Sequence, residues 1–289
     1  MHKGLCGQWR QHIALDVGTA AIRIASGSLP PIEQPSVIGG KRALRDGVVA
    51  DSEATVQLLR PLMERTRTFG ILKPRVLACA PSDARKEERQ SLVDCILRAG
   101  AASISVIAEP LAAAVGSGLD VSSQYAQMVI DIGEGVTDCA VIRSSKVAAT
   151  CAIRAGCGQM RRSIVVAARN AGCAGFSDAD GDALLRRCGL FHSAEQAGSL
   201  MAALALQPVM DRIAGTIAAF LQDLPDEIGC ELIDSGICLT GGGALIPGVR
   251  EYLEERTGIS LTVANAPLAS VVEGARAILP AIMSLNEWR

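Results

Sequence analysis

The sequence predicts an α/β protein built as two related lobes, and three observations carry that expectation. The first is an internal echo. Ile13-Ala-Leu-Asp16-Val-Gly18-Thr19 and Val129-Ile-Asp131-Ile-Gly133-Glu134-Gly135-Val136-Thr137 both run a short apolar strand into Asp-hydrophobe-Gly. Each is followed by a second apolar stretch, Ile22 to Ala25 and Cys139 to Ile142, the pattern of a hairpin whose turn carries the polar groups. The second is an alternation of helix-like and strand-like segments after each hairpin. The third is size: 289 residues, 49% hydrophobic and 20% charged, suffice for two globular cores at ~100–200 residues per domain.

The elements follow in order. Asp51-Ser52 opens an amphipathic helix running to about Thr68, and Arg75 to Cys79 reads as a strand. Ser82 precedes a charged helix that ends at Gly100. Ser103 to Ile107 is a further strand, and Pro110 sits in the first turn of a helix through Leu111 to Val115. No low-complexity linker follows, so the lobe boundary is expected as a packed hinge near residues 118–128. Beyond Ile142 come another strand and a helix from about Gln159 to Asn170. A less regular stretch runs from Gly172 to Ser199, and an apolar helix starts at Leu200. The last unit reads as strand Gly236 to Thr240, helix Val249 to Arg256, strand Ser260 to Val263 and helix Leu268 to Leu279.

Composition removes several functions. A net charge of −2 gives no electrostatic footprint for nucleic acid, and 3% aromatic residues leave few stacking platforms, so no nucleic-acid partner is expected. The ten cysteines contain no CxxC pair and only His2, His12 and His192 could join them, which favours small buried apolar residues over zinc ligands. The same scarcity of histidine weighs against a Ser/His/Asp or Cys/His nucleophile. The first apolar run reaches Asp16 almost at once, which predicts no secretory leader. Gln207, Pro208, Asp211 and Arg212 interrupt the apolar run Leu200 to Leu221, which reads as a buried helix, not a membrane span.

The echoed turns hold the chemistry. Phosphate needs backbone N–H donors at close range and therefore glycine, while Mg²⁺ needs a few carboxylate oxygens with water between. The first hairpin offers Asp16, Gly18 and Thr19; the second offers Asp131, Gly133, Gly135 and Thr137. Facing each other, two such turns would hold a triphosphate from both sides, with Asp16 and Asp131 polarising Mg²⁺ and water. Either alone is also how ordinary hairpins end. A third cluster, Thr240-Gly241-Gly242-Gly243-Ala244, follows a strand and lets the backbone pass against a flat ligand such as adenine; its plain alternative is a tight turn. It is neither a Rossmann nor a Walker glycine pattern.

These three motifs, in this order, resemble the two phosphate motifs and the adenosine motif of the actin/Hsp70/hexokinase superfamily. Within it the chain is similar to the bacterial actin MreB family, through Glu33-Gln-Pro-Ser36-Val, Leu44-Arg-Asp-Gly47-Val-Val-Ala-Asp51, Ile107-Ala-Glu109-Pro110-Leu-Ala-Ala-Ala and Thr240-Gly-Gly-Gly-Ala-Leu. The resemblance spans nearly the whole chain. It implies two actin-like (ribonuclease H-like) lobes with mixed five-stranded sheets flanked by helices, a nucleotide cleft between them and reduced outer subdomains. It divides the chain into a tail or weak amphipathic anchor (1–12), lobe I (13–122) and lobe II (123–289), with the C-terminal helix packing back on lobe I. It implies ATP or ADP with Mg²⁺ as cofactors, Asp16 and Asp131 near the metal, and Glu109 and Asp131 as catalytic, Glu109 positioning the attacking water. For Glu109 the plain alternative is an acid at a helix N-terminus. Asp16, Gly18, Thr19, Gly133, Glu134, Gly135, Thr137, Gly156, Asp182 and Gly241 to Gly243 would contact the nucleotide.

Departures from the family pattern matter as much. Ala21-Ile22 replace Asn-Thr after the first turn, Glu134 replaces a glycine and Val136 a threonine. Gly156-Cys157 stands for Gly-Asp, Arg161 for an acid, and the nucleoside-holding Glu/Lys helix survives only around Gly181-Asp182 to Arg187. These predict retained binding with slow hydrolysis. Both outer regions, Val37 to Leu44 and Ala171 to Gln207, are short. The expected function is an MreB-like cytoskeletal ATPase that forms nucleotide-dependent filaments with slow hydrolysis. Its partners would be further copies of itself, the membrane surface, and membrane-associated shape or partition proteins. It would be cytoplasmic, peripheral to the inner face of the membrane where residues 1–12, with Lys3, Leu5, Trp9 and Arg10, act as an anchor. The alternative is a non-polymerising ATPase or nucleotide-locked scaffold resembling Hsp70 and the ethanolamine-utilisation J family. A small-molecule kinase is disfavoured because no inserted acceptor lobe is visible.

Overall fold

The computed structural model describes residues 11–191 and 198–285, so the anchor expected within residues 1–12 lies almost wholly outside the described residues. The chain divides into two compact units. One runs up to Gly118 and takes in the chain again from Ala269; the other spans Leu119–Leu268.

In the first unit β1 (His12–Val17), β2 (Ala21–Ser26) and β3 (Ile32–Pro35) form an antiparallel meander. Two short hairpins follow, β4 (Val37–Ile38) with β5 (Lys41–Arg42) and β6 (Leu44–Arg45) with β7 (Val48–Val49). Then come α1 (Ser52–Arg65), β8 (Arg75–Ala80), α2 (Lys86–Ala99), β9 (Ser103–Ala108) and α3 (Glu109–Gly116). The sheet order is β3-β2-β1-β8-β9, with β8 parallel to both β1 and β9. Helix α1 starts where the Asp51 carboxylate accepts from the Ala54 amide at 2.9 Å, and α2 stops at left-handed Gly100. Alternation in β1 sends Ile13, Leu15 and Val17 into a core with Leu59 and Ile96, and Ala14 into one with Ala112. Asp16 shares the parity of Ala14, so it belongs to the sheet face that carries α3.

The second unit repeats the plan. β10 (Gln127–Ile132), β11 (Thr137–Arg143) and β12 (Lys146–Ile153) form the meander, followed by α4 (Cys157–Asn170), α5 (Asp178–Cys188), α6 (Ser199–Gln222) and α7 (Asp226–Ser235). β13 (Ile237–Thr240), a 3₁₀ turn (Gly242–Leu245), α8 (Val249–Thr257) and β14 (Leu261–Val263) complete it. Its sheet order, β12-β11-β10-β13-β14, reproduces that of the first unit, and β13 is parallel to β10 and β14. The echo read in the two turns therefore extends to the topology. Met128, Ile130 and Ile132 enter one core with Met160, Ile164, Leu206, Met210 and Ile213. A fully buried chain of this size contributes about 1.5–3 kcal/mol.

Helix α9 (Ser270–Leu285) belongs to the first unit and crosses α3 backbone to backbone. A Cβ on Gly274 would run into the Ala112 carbonyl, and one on Gly116 into that of Ser270, so glycine sets this approach.

Three element readings are corrected. In the stretch from Gly172 to Ser199, the helix remnant read around Gly181 to Arg187 is the regular helix α5, started earlier by a capping box in which Ser177 and Asp180 exchange hydrogen bonds. Helix α7 went unread because its ten residues are mostly solvent-facing, with Leu232 alone fully buried. Helix α6 continues through Pro208 and is buried only along the stripe Ser199, Ala202, Leu206, Met210, Ile213, Ala214 and Ile217, leaving Leu200 and Leu204 exposed. It is long and apolar enough to cross a membrane by length and composition alone, yet its polar interruptions fall on the outward face.

Candidate functional site

The first turn joins β1 to β2. Gly18 N donates to Ala21 O at 3.1 Å and closes the hairpin. The Ser36 hydroxyl, fully buried, donates to Gly18 O at 2.6 Å, and the Ser36 amide donates to Ala20 O at 3.0 Å. Gly47 N donates to the Thr19 hydroxyl at 2.8 Å. Ser36 and Gly47 thus hold the turn from the segments on either side of the small hairpins, a role that no sequence pattern announced. After these bonds, the amides of Thr19 and Ala20 carry no hydrogen bond among the described residues.

Asp16 precedes that turn and is only 6% exposed. It pairs across the hairpin with Arg23, whose Nη1 donates to Asp16 Oδ2 at 3.4 Å while its Nε donates to Glu33 Oε2 at 2.7 Å. Burial pushes the Asp16 carboxyl above the ordinary aspartate range, and Arg23 opposes that shift only in part. Glu109, half-buried, is the first residue of α3 directly after β9, with Pro110 behind it, so its carboxylate starts a helix at the end of a parallel strand.

The second turn, between β10 and β11, is held mainly by backbone. Gly133 N donates to Val136 O at 2.9 Å, and the first amides of α4 cap the turn's carbonyls, Cys157 N to Gly133 O at 2.9 Å and Gly158 N to Glu134 O at 2.8 Å. This approach requires glycine at 156, because a Cβ there would collide with the Gly133 carbonyl oxygen. The Thr137 hydroxyl, completely buried, donates to Ala155 O at 2.9 Å and so braces the turn from within. Gly135 is buried and its amide has no partner among the described residues. An unpaired buried amide is costly, and a ligand oxygen would remove that cost.

Side chains beside this turn form an ion-pair chain. Arg161 of α4 makes two bonds to the Glu134 carboxylate, one of them Nη1 to Oε2 at 3.2 Å, and its Nη1 lies 3.8 Å from Asp182 Oδ1. Asp182 in turn accepts from Arg186 Nε at 2.7 Å. The hydrogen bond to Glu134 raises the Arg161 pKa further above its ordinary value. Cys157, where the family pattern has an acid, is pushed up to about 12 by burial and then by Glu134, so it stays a neutral thiol.

Asp131 lies on β10 opposite Asp138 and beside Thr240 of β13. The three-glycine run packs against it. Gly241 has φ +79° and no room for a Cβ beside the Asp131 carboxylate, and Gly243 is pressed onto Ile132. Gly242 differs: a Cβ there would meet only Cys157 Sγ at 3.5 Å and Leu268 at 3.9 Å, ordinary contacts, and the residue is partly exposed. The outer glycines therefore serve packing, and the middle one presents backbone outward. Within the second unit the structure brings together Asp131, Gly133, Glu134, Gly135, Thr137, Gly156, Asp182 and Gly241 to Gly243; within the first it gathers Asp16, Gly18 and Thr19 at one hairpin and puts Glu109 at the start of α3. Among the described residues no three His, Cys, Asp or Glu side chains cluster as metal ligands.

The loop between α1 and β8 was not singled out in the sequence. Thr68 and Leu72 bridge around a turn that leaves Phe69 75% and Ile71 78% exposed, with Phe69 itself at φ +55°. Exposed Arg65 and Lys73 flank it.

Comparison with known proteins agrees with this architecture. The family model described as MreB/Mbl protein matches residues 17–171 and 189–287. The cell shape-determining protein MreB of Escherichia coli strain K12 is 29% identical over 262 residues, covering 83% of this chain and 76% of that protein. The crystal structure of MreB5 of Spiroplasma citri bound to AMPPNP superposes with a TM-score of 0.87 at 22% identity, covering 96% of this chain and 98% of that one. The MamK double helical filament superposes with a TM-score of 0.79 at 15% identity over 95% and 99% of the two chains. The chain belongs to the MreB/Mbl family and has the actin-like fold, a cytoskeletal actin homologue.

Proposed function

We propose that this protein binds ATP and ADP and assembles with further copies of itself into filaments that depend on the nucleotide and turn it over slowly. The observation that carries the reading is the set of unpaired amides in the echoed turns: Thr19 and Ala20 in one unit and buried Gly135 in the other. Such amides, aligned in a glycine turn, are what phosphate oxygens accept from. Gly242 supplies open backbone for the nucleoside. Glu109 is the residue assigned to orienting water for in-line attack, from the first turn of α3. Similarity to MreB5, solved with AMPPNP and with ADP, and to MamK, solved as a filament, supports both halves of the proposal.

The family implies Mg²⁺, and the two carboxylates differ in their fit to it. A nucleotide-borne Mg²⁺ keeps several waters and needs one or two carboxylates with charge to offer. Asp131, at the end of β10 beside the three-glycine run, is the carboxylate assigned to it, reached through water. Asp16 does not, since Arg23 already lies against it. Mg²⁺ when bound would offset phosphate charge; the residues of the chain hold the phosphates by backbone N–H and exclude water around them.

Function at the inner membrane surface is part of the same reading. Phe69 and Ile71 stand out on a tight loop beside Arg65 and Lys73, an apolar tip with cationic flanks that suits an anionic lipid surface. One sedimentation series tests the proposal. With ATP, the protein should pellet above a critical concentration, with ADP less, and anionic vesicles should increase the pellet in the parent but not in Phe69→Ser/Ile71→Ser. Glu109→Ala should pellet normally while releasing phosphate at least about tenfold more slowly, the loss expected of a water-positioning group. A protein that stays monomeric with every nucleotide would instead support a client-binding or scaffold ATPase.

A further inference from the structure

The pairing of Asp16 with Arg23 goes beyond this reading while resting on its nucleotide site. In the first turn the carboxylate most obviously placed for a metal is buried, and the charge beside it is a guanidinium from the facing strand, itself only 15% exposed. Arg23 is held at two points: Nε donates to Glu33 on β3 at 2.7 Å and Nη1 to Asp16 at 3.4 Å. A guanidinium carries five N–H groups, so these two bonds leave donors to spare. Arg23 pairs with Asp16 across the hairpin that ends in the unpaired amides of Thr19 and Ala20. The second turn also holds a carboxylate–arginine pair, Glu134 doubly bonded to Arg161, at a position other than that of Asp131, the counterpart of Asp16. Two independent turns thus each pair a carboxylate with an internal arginine.

We infer that Arg23 is a built-in cation that takes, at the first turn, the place a divalent metal ion would otherwise fill, so that this chain binds nucleotide phosphate with little need of Mg²⁺. Asp16 then acts as a positioning residue: its role is to orient Arg23, not to ligate metal. Removing the guanidinium would expose a carboxylate beside the phosphates, which repels them unless a metal ion intervenes.

The test compares ATP dissociation constants by calorimetry in Mg²⁺ and in excess EDTA. The parent should bind within about threefold in the two conditions. Arg23→Leu should lose at least about tenfold in EDTA, the effect of one charge-assisted hydrogen bond, and recover most of it with Mg²⁺. Arg23→Lys should behave like the parent, and Asp16→Asn/Arg23→Leu should lack the metal rescue. Independently of nucleotide, Mn²⁺ alone, followed by its electron paramagnetic resonance signal, should bind Arg23→Leu more tightly than the parent. A parent that itself loses tenfold in EDTA, or an Arg23→Leu with the parent's ratio of affinities, overturns the inference. Absence of ATP binding under both conditions sinks the nucleotide reading instead, and the Mn²⁺ titration still decides Arg23: no gain in the variant overturns its role as a substitute for metal.

Discussion

The two turns share a sequence pattern and a place in their sheets, yet they are held in different ways. The first is held from outside by single groups: the Ser36 hydroxyl on Gly18, the Ser36 amide on Ala20 and the Gly47 amide on Thr19. The second is held from below by a helix, with the opening amides of α4 bonded to its two carbonyls and glycines at 156 and 241 admitting the backbone. A turn held by a few bonds from short hairpins can shift when one bond goes. A turn seated on a helix and a strand can shift only if they do. The difference predicts that damage to the second turn is global within its unit, and damage to the first is local.

The largest expected effect tests the rigid side of that contrast. Gly156→Val puts side-chain atoms where the Gly133 carbonyl sits, so α4 or the turn must move. The expected cost is about 3 kcal/mol, the upper end of what overpacking typically costs. It should appear as a lower denaturant midpoint together with faster amide exchange across β10 and β11. A parent-like midpoint for the variant would show that α4 does not seat the turn.

What the sequence revealed and concealed follows the same division. The echoed Asp-hydrophobe-Gly hairpins, the strand after each helix and the stop at Gly100 were legible because each rests on neighbours in sequence. The identical sheet order of the two units was implied by the echo and is now visible. Ser36 and Gly47 were legible only as family resemblance, because their bonds to Gly18 and Thr19 span 18 and 28 residues. Arg23 stood in plain view as a polar residue in an apolar strand, but its opposition to Asp16 needs the hairpin register. Glu134 and Thr137 look alike as turn residues; one is tied to Arg161 and the other points inward to Ala155. Helix α5 was read only in part, as Gly181-Asp182 to Arg187 by resemblance, because its capping box is a local signal set between glycine-rich breaks; the exposed Phe69 loop was missed because apolar residues near a strand read as core.

A middle-sized effect probes the first turn. Ser36→Ala removes a donor to Gly18 O while leaving the Ser36 amide in place. The lost buried hydrogen bond should cost about 1–2 kcal/mol, without the widespread exchange seen for Gly156→Val. Nucleotide affinity should fall more than stability suggests, because the turn that presents the Thr19 and Ala20 amides loosens. Equal exchange profiles for the two variants would erase the contrast between the turns.

The smallest effect is electrostatic and separates Asp16 from the other carboxylates by its sign. Burial raises the folded pKa of Asp16 above the ordinary value of 3.8, so the native state binds this proton more tightly than the unfolded chain does. The resulting stability is fully present below the unfolded value and is lost as pH rises through the raised folded one. Asp180 and Glu227, whose pKa values are lowered by hydrogen bonds from Ser177 and Arg143, run the other way, stabilising above their unfolded values and losing that contribution as pH falls. The parent curve therefore mixes both signs, and the informative quantity is the parent minus Asp16→Asn. That difference should decline with rising pH above about 4, with a slope no steeper than about 1.4 kcal/mol per pH unit, the limit for one proton. The variant also frees Arg23 from its partner at the first turn, so its midpoint shifts at every pH, but only the slope reports the buried proton. A difference that rises with pH would mean that Arg23 outweighs burial and that Asp16 is an ordinary ion-paired carboxylate. The first turn would then carry a firmly charged pair, while the second keeps its own in Glu134 and Arg161.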